Sequence, residues 1–172
     1  MKQDLINGKN DEYYTHEYSI TPLLNYIKKG TTVWCPFDPP KSRFVTELEK
    51  HGCKVIRTHI DENGDFFEIP TPECDYIISN PPYSCKTQVF KKLFEIGKPF
   101  AMLVGVVGLF ESQRRFTMFK NNDFEIMYFD KRISYFKSYA DQKPSLNPPF
   151  SSVYICKDLL PKQIVFEALA KK

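Results

Sequence analysis

Apolar residues in this chain fall into short, nearly continuous runs that alternate with stretches where they recur every three or four positions. Runs of strand length occupy 31–37 (TTVWCPF), 54–60 (KVIRTHI), 76–79 (YIIS), 99–109 (PFAMLVGVVGL), 124–129 (FEIMYF) and 152–156 (SVYIC). Between them the spacing predicts helices. Residues 15–27 align Ile20, Leu23, Leu24 and Ile27 on one face, with Thr21 as N-cap, Pro22 at the first helical position and Gly30 as the stop. Ser42 caps a second helix whose apolar face is Phe44, Val45 and Leu48 and whose stop is Gly52. Further helices are expected over 87–96, ended by Gly97, over 112–120 and over 162–170. Residues 61–65 form a polar turn, and 131–150 an irregular basic and aromatic segment.

Strands that are apolar throughout are buried on both faces, which predicts a mostly parallel sheet between two helical layers. The expected class is α/β, in one domain spanning 1–172. Ligands of such sheets collect at the carboxyl ends of the strands, near the point where strand order reverses. That rule brings three segments to one edge: Phe37-Asp38, residues 61–66, and Asn80-Pro81-Pro82-Tyr83. The last is unusual. Two consecutive prolines remove two backbone donors and fix two φ angles, so the strand must stop at a rigid tip carrying an amide and a phenol.

Composition narrows the class. An apolar fraction of 42% and a charged fraction of 26% are those of a soluble globular protein. The longest apolar run, 99–110, falls short of the roughly 18 residues of a membrane span. With no apolar stretch near the N-terminus, a cytoplasmic protein with no membrane partner is expected. Five widely spaced cysteines without a CxxC pair predict reduced thiols, and His16, His51 and His59 lack metal-ligand spacing, so no metal is expected. Charge is uneven. Residues 1–83 hold 9 Lys+Arg against 13 Asp+Glu, a net −4, and residues 84–172 hold 15 against 8, a net +7. An acidic half joined to a basic half suits a small ligand on one side and a polyanion on the other, or is plain surface scatter.

The segment CDYIISNPPYS (74–84) resembles motif IV of class I S-adenosylmethionine-dependent adenine-N6 DNA methyltransferases, in the short form carried by phages and prophages. YYTHEYSITP (13–22) is similar to the family's N-terminal motif, VWCPFD (33–38) stands where motif I belongs, and GDFFE (64–68) is similar to motif III. The resemblance implies a Rossmann-like methyltransferase fold that binds S-adenosylmethionine and transfers its methyl group to adenine N6. It implies Asn80, Pro81, Pro82 and Tyr83 as the catalytic tip. It implies cofactor contacts by Tyr14, Thr15, Pro36, Phe37, Asp38, Asp61, Asp65 and Phe66. The exocyclic amine is a weak nucleophile because its lone pair is delocalised. If Asn80 Oδ1 and the Pro81 carbonyl accept its two hydrogens, the lone pair is localised and aimed, and Tyr83 offers a stacking face.

The chain departs from the family in three ways. No glycine lies between Gly30 and Gly52, where motif I usually carries a glycine turn. Asp38 is there to hold the cofactor's ammonium group, or is a turn residue; Asp61 serves the ribose, or is a solvated carboxylate. Asp61 and Asp65 stand four apart, so the region between the second strand and the 76–79 strand is reduced. No separate target-recognition domain is expected. Phosphate contacts then fall to Lys86, Arg114, Arg115, Lys131, Arg132, Lys137 and Lys143, with Tyr135, Phe136, Tyr139 and Phe150 meeting a base of duplex or single-stranded DNA. Asn147-Pro148-Pro149-Phe150 repeats the tip pattern without a preceding apolar strand and reads as a loop that starts the last strand. Methylation of RNA adenine or protein glutamine, and a degenerate fold that binds without catalysis, are the alternatives.

Overall fold

The computed structural model describes residues 14–62, 64–136, 144–146 and 150–170. A seven-stranded sheet organises them. Its members are β1 (Thr32–Cys35), β2 (Lys54–Arg57), β3 (Tyr76–Ser79), β4 (Phe100–Gly105), β5 (Glu125–Phe129), β8 (Ser152–Lys157) and β9 (Ile164–Glu167). The spatial order is β2-β1-β3-β4-β8-β5-β9. β1, β2, β3 and β4 pair in parallel, and β5 pairs in parallel with β9. β8 runs antiparallel between β4 and β5. Strand order reverses between β1 and β3, so ligands are expected there.

Side-chain alternation splits the interior into two cores. Val33, Cys35, Ile78, Ala101, Leu103, Met127, Tyr154 and Cys156 face one way. They meet Phe44, Val45 and Leu48 of α2 (Arg43–His51) and Ile20, Leu23 and Ile27 of the N-terminal segment. Trp34, Ile77, Phe100, Met102, Val104, Ile126, Val153 and Ile155 face the other way. They meet Val89, Phe90 and Leu93 of α3 (Lys86–Ile96) and Phe119 of α4 (Gln113–Lys120). This is the expected α/β sheet with helices on both faces, and among the described residues no strand lies between β2 and β3 in the chain, in keeping with the reduced region expected there.

Four local expectations are corrected. The helix expected over 15–27 is a 3₁₀ turn (Glu17–Ser19) followed by the single-turn α1 (Thr21–Leu24), and Thr21 is its first residue, not its cap. Thr21 Oγ1 donates back to the Glu17 carbonyl (3.2 Å), while Tyr18 and Tyr154 fasten the segment across the sheet. The strand expected over 99–109 ends at Gly105, after which Leu109 N–H closes a turn on the Val106 carbonyl (3.2 Å). The helix expected over 162–170 is the edge strand β9: Val165 is buried while Ile164 and Phe166 are exposed, a two-residue period in a run too short to fix its own period. Within the segment read as irregular, β6 (Tyr135–Phe136) pairs antiparallel with β7 (Pro144–Leu146).

The expected caps hold elsewhere. Ser42 Oγ accepts from Phe44 N–H (3.2 Å), and Gly52 and Gly97 adopt left-handed geometry at the ends of α2 and α3. Asp75 Oδ2 accepts from Thr32 N–H (2.8 Å) and so ties the starts of β3 and β1 together.

Candidate active site

The carboxyl ends of β1, β2, β3, β4 and β5 share one edge, and the amino end of β8 meets them there. Asn80 follows β3 directly, with Pro81 buried behind it. Asn80 Nδ2 donates to Thr15 Oγ1 (3.2 Å), and Thr15 is itself buried. This bond orients the amide: the nitrogen faces the N-terminal segment, and the oxygen, which can accept two hydrogen bonds, is the other end. Half-buried Tyr14 precedes Thr15, so the N-terminal motif and the tip meet in space.

Tyr83 opens a 3₁₀ turn (Tyr83–Cys85) that runs into α3. Its hydroxyl donates to Tyr135 Oη (3.1 Å), and buried Tyr135 in turn shares a hydrogen bond with Ser152 Oγ (2.5 Å). The Phe150 ring meets the Tyr83 ring edge to face, with centroids 5.5 Å apart. Phe150 lies so close over Gly105 that a Cβ there would come within 3.0 Å of the ring. Lys86 Nζ stands 5.9 Å from the centre of the Tyr83 ring. Phe150, the end of the second Asn-Pro-Pro-aromatic sequence, therefore joins the tip, although residues 147–149 lie outside the described residues.

On the other side of the reversal the turn after β1 is stitched to β2 without a glycine. Thr58 N–H donates to the Cys35 carbonyl (3.1 Å), Asp38 N–H to the Thr58 carbonyl (3.2 Å), and Thr58 Oγ1 to the buried Pro36 carbonyl (3.5 Å). Trp34 Nε1 donates to Thr58 Oγ1 (3.0 Å). Asp38 is 4% exposed, and its two carboxylate oxygens accept from Ser42 Oγ and Ser79 Oγ. Burial pushes its pKa up to about 6, against the pull of those two hydroxyls and of the nearby His59 and Arg57 charges. Its carboxylate is thus turned inward, onto the frame of the site.

Asp65 and Phe66 form a built turn. Asp65 Oδ1 accepts from Phe67 N–H (2.9 Å), and its carbonyl accepts from Glu68 and Ile69 N–H. Gly64 before it has φ +116°, and a Cβ there would lie 2.6 Å from Ile69 Cγ2. Phe66 packs between Trp34 (5.4 Å), Phe37 (4.9 Å) and Phe67 (5.3 Å). Lys92 of α3 reaches up beneath this turn, donating to the Phe66 and Ile69 carbonyls with its ammonium 4.6 Å from the Phe66 ring centre. Desolvation lowers its pKa. Asp61 stands apart: its side chain is 79% exposed, 3.5 Å from His59 Nδ1.

The basic residues divide. Arg114 and Arg132 are exposed. Arg115 donates to the Leu109 and Gly108 carbonyls (2.8 and 2.7 Å) and to Thr87 Oγ1 (2.9 Å), so it shapes the turn after β4. Lys131 lies 3.8 Å from Asp130 and donates to the Leu169 carbonyl (3.4 Å). Lys137, Tyr139 and Lys143 lie outside the described residues. Sequence reasoning missed Ser79 as a member of the site and gave Tyr135 a different role in it. The one signal for Ser79 was a lone hydroxyl closing an apolar strand; Tyr135 stood among aromatics assigned to a base and is instead buried as a hydrogen-bond relay.

Solved structures share this architecture. A modification subunit assigned to a type I restriction enzyme from Vibrio vulnificus YJ016 superposes with a TM-score of 0.58 at 12% identity, over 88% of this chain and 45% of that one. A dimethyladenosine transferase from Plasmodium falciparum superposes with a TM-score of 0.52 at 12% identity, over 88% of this chain and 64% of that one. The fold is the Rossmann-like fold of class I methyltransferases. This chain spans less than two thirds of either protein. No family model matches it, and no curated protein matches its sequence. Among the described residues no helix is long and apolar enough to cross a membrane, and no group of three or more His, Cys, Asp or Glu could hold a metal ion.

Proposed function

We propose that this chain is an S-adenosylmethionine-dependent methyltransferase that modifies adenine N6 in DNA. The observation that carries the reading is the tip: Asn80, oriented by Thr15, beside Tyr83 and Phe150 at the strand-order reversal of a methyltransferase fold. Asn80 Oδ1 and the Pro81 carbonyl accept the two amine hydrogens of an adenine, which localises its lone pair. The prolines hold those acceptors rigid, so little reorganisation is needed when the nitrogen reacts. Tyr83 and Phe150 present two ring surfaces for an extruded base, and Lys86, Arg114 and Arg132 supply positive charge for the phosphates. No dedicated base is required, because the alkylated ammonium is strongly acidic and gives its proton to solvent.

The donor set on the other side suits the cofactor. The half-buried Phe37 ring, backed by Phe66, offers an apolar face for an adenine, and Asp61 offers an acceptor for ribose hydroxyls. The family resemblance adds Tyr14, Thr15 and Pro36 to the cofactor contacts. S-adenosylmethionine, when bound there, supplies an electrophilic methyl on a sulfonium. Incubation with methyl-labelled cofactor and a panel of duplex DNA, single-stranded DNA, RNA and protein tests the reading. Label recovered as N6-methyladenine in DNA is the expected result, and label in no adenine-containing polymer overturns it.

The glycine-free turn after β1 favours one competing reading, a methyltransferase fold that binds nucleic acid or a protein without catalysis. Calorimetry separates the two: micromolar cofactor binding is expected, and none at millimolar concentration selects the binding protein. Label in RNA adenine or in a protein glutamine instead of DNA keeps the chemistry and changes the substrate.

A further inference from the structure

The polar contacts of Asp38 reach every element that ends at the strand-order reversal. Its N–H donates to the Thr58 carbonyl beyond β2 (3.2 Å), and its carbonyl accepts from Arg57 Nη1 (3.4 Å). Oδ1 accepts from Ser42, the cap of α2, and Oδ2 accepts from Ser79, the residue before Asn80. Ser42, Asp38 and Ser79 are all buried. A buried carboxylate accepting from two hydroxyls is a two-point clamp, because each hydroxyl has one proton and spends it on the same anion. Removing the acceptor would strand two buried donors.

We propose that Asp38 is a positioning residue for methyl transfer: through Ser42 and Ser79 its carboxylate holds the acceptor tip in register with the turn after β1, in place of the missing glycine turn. This rests on the methyltransferase reading. Both carboxylate oxygens are taken by serines, so Asp38 acts through Ser79, whose backbone continues into Asn80. Protonation turns one carboxylate oxygen into a donor, so one serine must reverse its bond or let go, and the clamp loosens.

That step falls in a measurable range, since burial places the Asp38 pKa at about 6. The groups facing the carboxylate are Arg57 on β2, His59 beyond it, Cys35 on β1 and Tyr154 on β8. Cys35 and Tyr154 are pushed well above their ordinary ranges by burial and stay neutral there. His59 is therefore the group that needs a control.

Two measurements test the proposal. In nitrogen-edited NMR of the whole protein, the Asn80 side-chain amide should titrate with a midpoint of about 6 in the parent and in His59→Gln. It should be flat through that range in Asp38→Asn and in Ser79→Ala, which keeps the result decisive if Asp38→Asn does not fold. In single-turnover transfer at saturating cofactor, the parent should slow as pH falls below about 6, and Asp38→Asn should lose this acid limb. Its rate should drop roughly tenfold at neutral pH, with cofactor affinity within about threefold. An Asn80 amide indifferent to pH, an amide titration that disappears in His59→Gln, or lost affinity with an unchanged rate in Asp38→Asn would overturn the proposal. If no substrate is methylated at all, the functional reading fails while the amide titration still decides the coupling.

Discussion

The acceptor tip and the turn after β1 face each other across the strand-order reversal and are stiffened by opposite means. At the tip, Pro81 and Pro82 restrict the backbone covalently, and distant side chains, Thr15, Tyr135 and Phe150, lean on what the prolines already hold. The turn after β1 has prolines of its own at Pro36, Pro39 and Pro40, yet its position is set by buried hydrogen bonds from Thr58, Ser42 and Ser79. Covalent stiffness is indifferent to pH and costs no desolvation. A polar clamp costs burial of a charge and becomes sensitive to protonation. The acceptor tip is thus stiff within itself, while its register with the donor side, held through Ser79 and Asp38, is tunable.

The sharpest way to break this contrast is Asn80→Ala. Losing one positioned acceptor should slow transfer by roughly 10²–10³-fold, with cofactor affinity nearly unchanged. Single-turnover rates and calorimetry check it, and loss of both together would make Asn80 a structural residue.

Next in size is the pH dependence of stability at Asp38. Its folded-state pKa, about 6, lies above the ordinary 3.8, so between those values the folded state holds the proton more tightly than the unfolded state. Stability from this group is full below about pH 4 and is lost as pH rises through 6. Relative to Asp38→Asn, the parent should therefore lose on the order of 3 kcal/mol between acid and neutral pH, measured by urea unfolding. A constant difference would mean that the carboxylate is not desolvated and the clamp is looser than its geometry.

Phe150→Ala tests the tip from its other side. Loss of one stacking ring should weaken nucleic-acid binding by about 1–3 kcal/mol, leaving cofactor affinity intact. Fluorescence anisotropy with a labelled oligonucleotide reads this directly, and equal binding by parent and variant would remove Phe150 from the base site.

The smallest expected effect is Lys92→Met. It withdraws the donor beneath the Phe66 and Ile69 carbonyls and should cost about 1–2 kcal/mol of stability. Cofactor affinity should fall a few-fold with the saturated transfer rate unchanged, because only the donor side is loosened. A slowed rate at saturation would show that the Phe66 turn, and not only the Asp38 clamp, is coupled to the acceptor tip.

Much of this was legible because it rests on local rules. The run Tyr76–Ser79 ending at two prolines announces a buried strand with a hard stop, and the capped α2 follows from Ser42 and Gly52. Less legible were elements whose identity depends on neighbours. The 162–170 segment reads as a helix in isolation, but pairing with β5 along Ile126–Phe129 makes it an edge strand. Thr15–Ile27 has a helical apolar spacing, yet Tyr18 and Tyr154 bind it across the sheet and allow only a single α-helical turn. Arg115 looked like a phosphate ligand because charge is visible in sequence, whereas the carbonyls of Gly108 and Leu109 that occupy it are not.

By itself the sequence determined the alternation of buried strands and amphipathic helices, the rigid Asn80-Pro81-Pro82-Tyr83 tip and the absence of a glycine turn after β1. Each depends on covalent geometry or on the period of neighbouring side chains, which act over a few residues. The tertiary structure alone decided that β8 enters the sheet antiparallel, that Phe150 meets Tyr83, and that Asp38 turns inward to Ser42 and Ser79. Those outcomes join residues four to sixty-seven positions apart, through contacts whose partners exist only once the sheet has assembled and water has left the space between them.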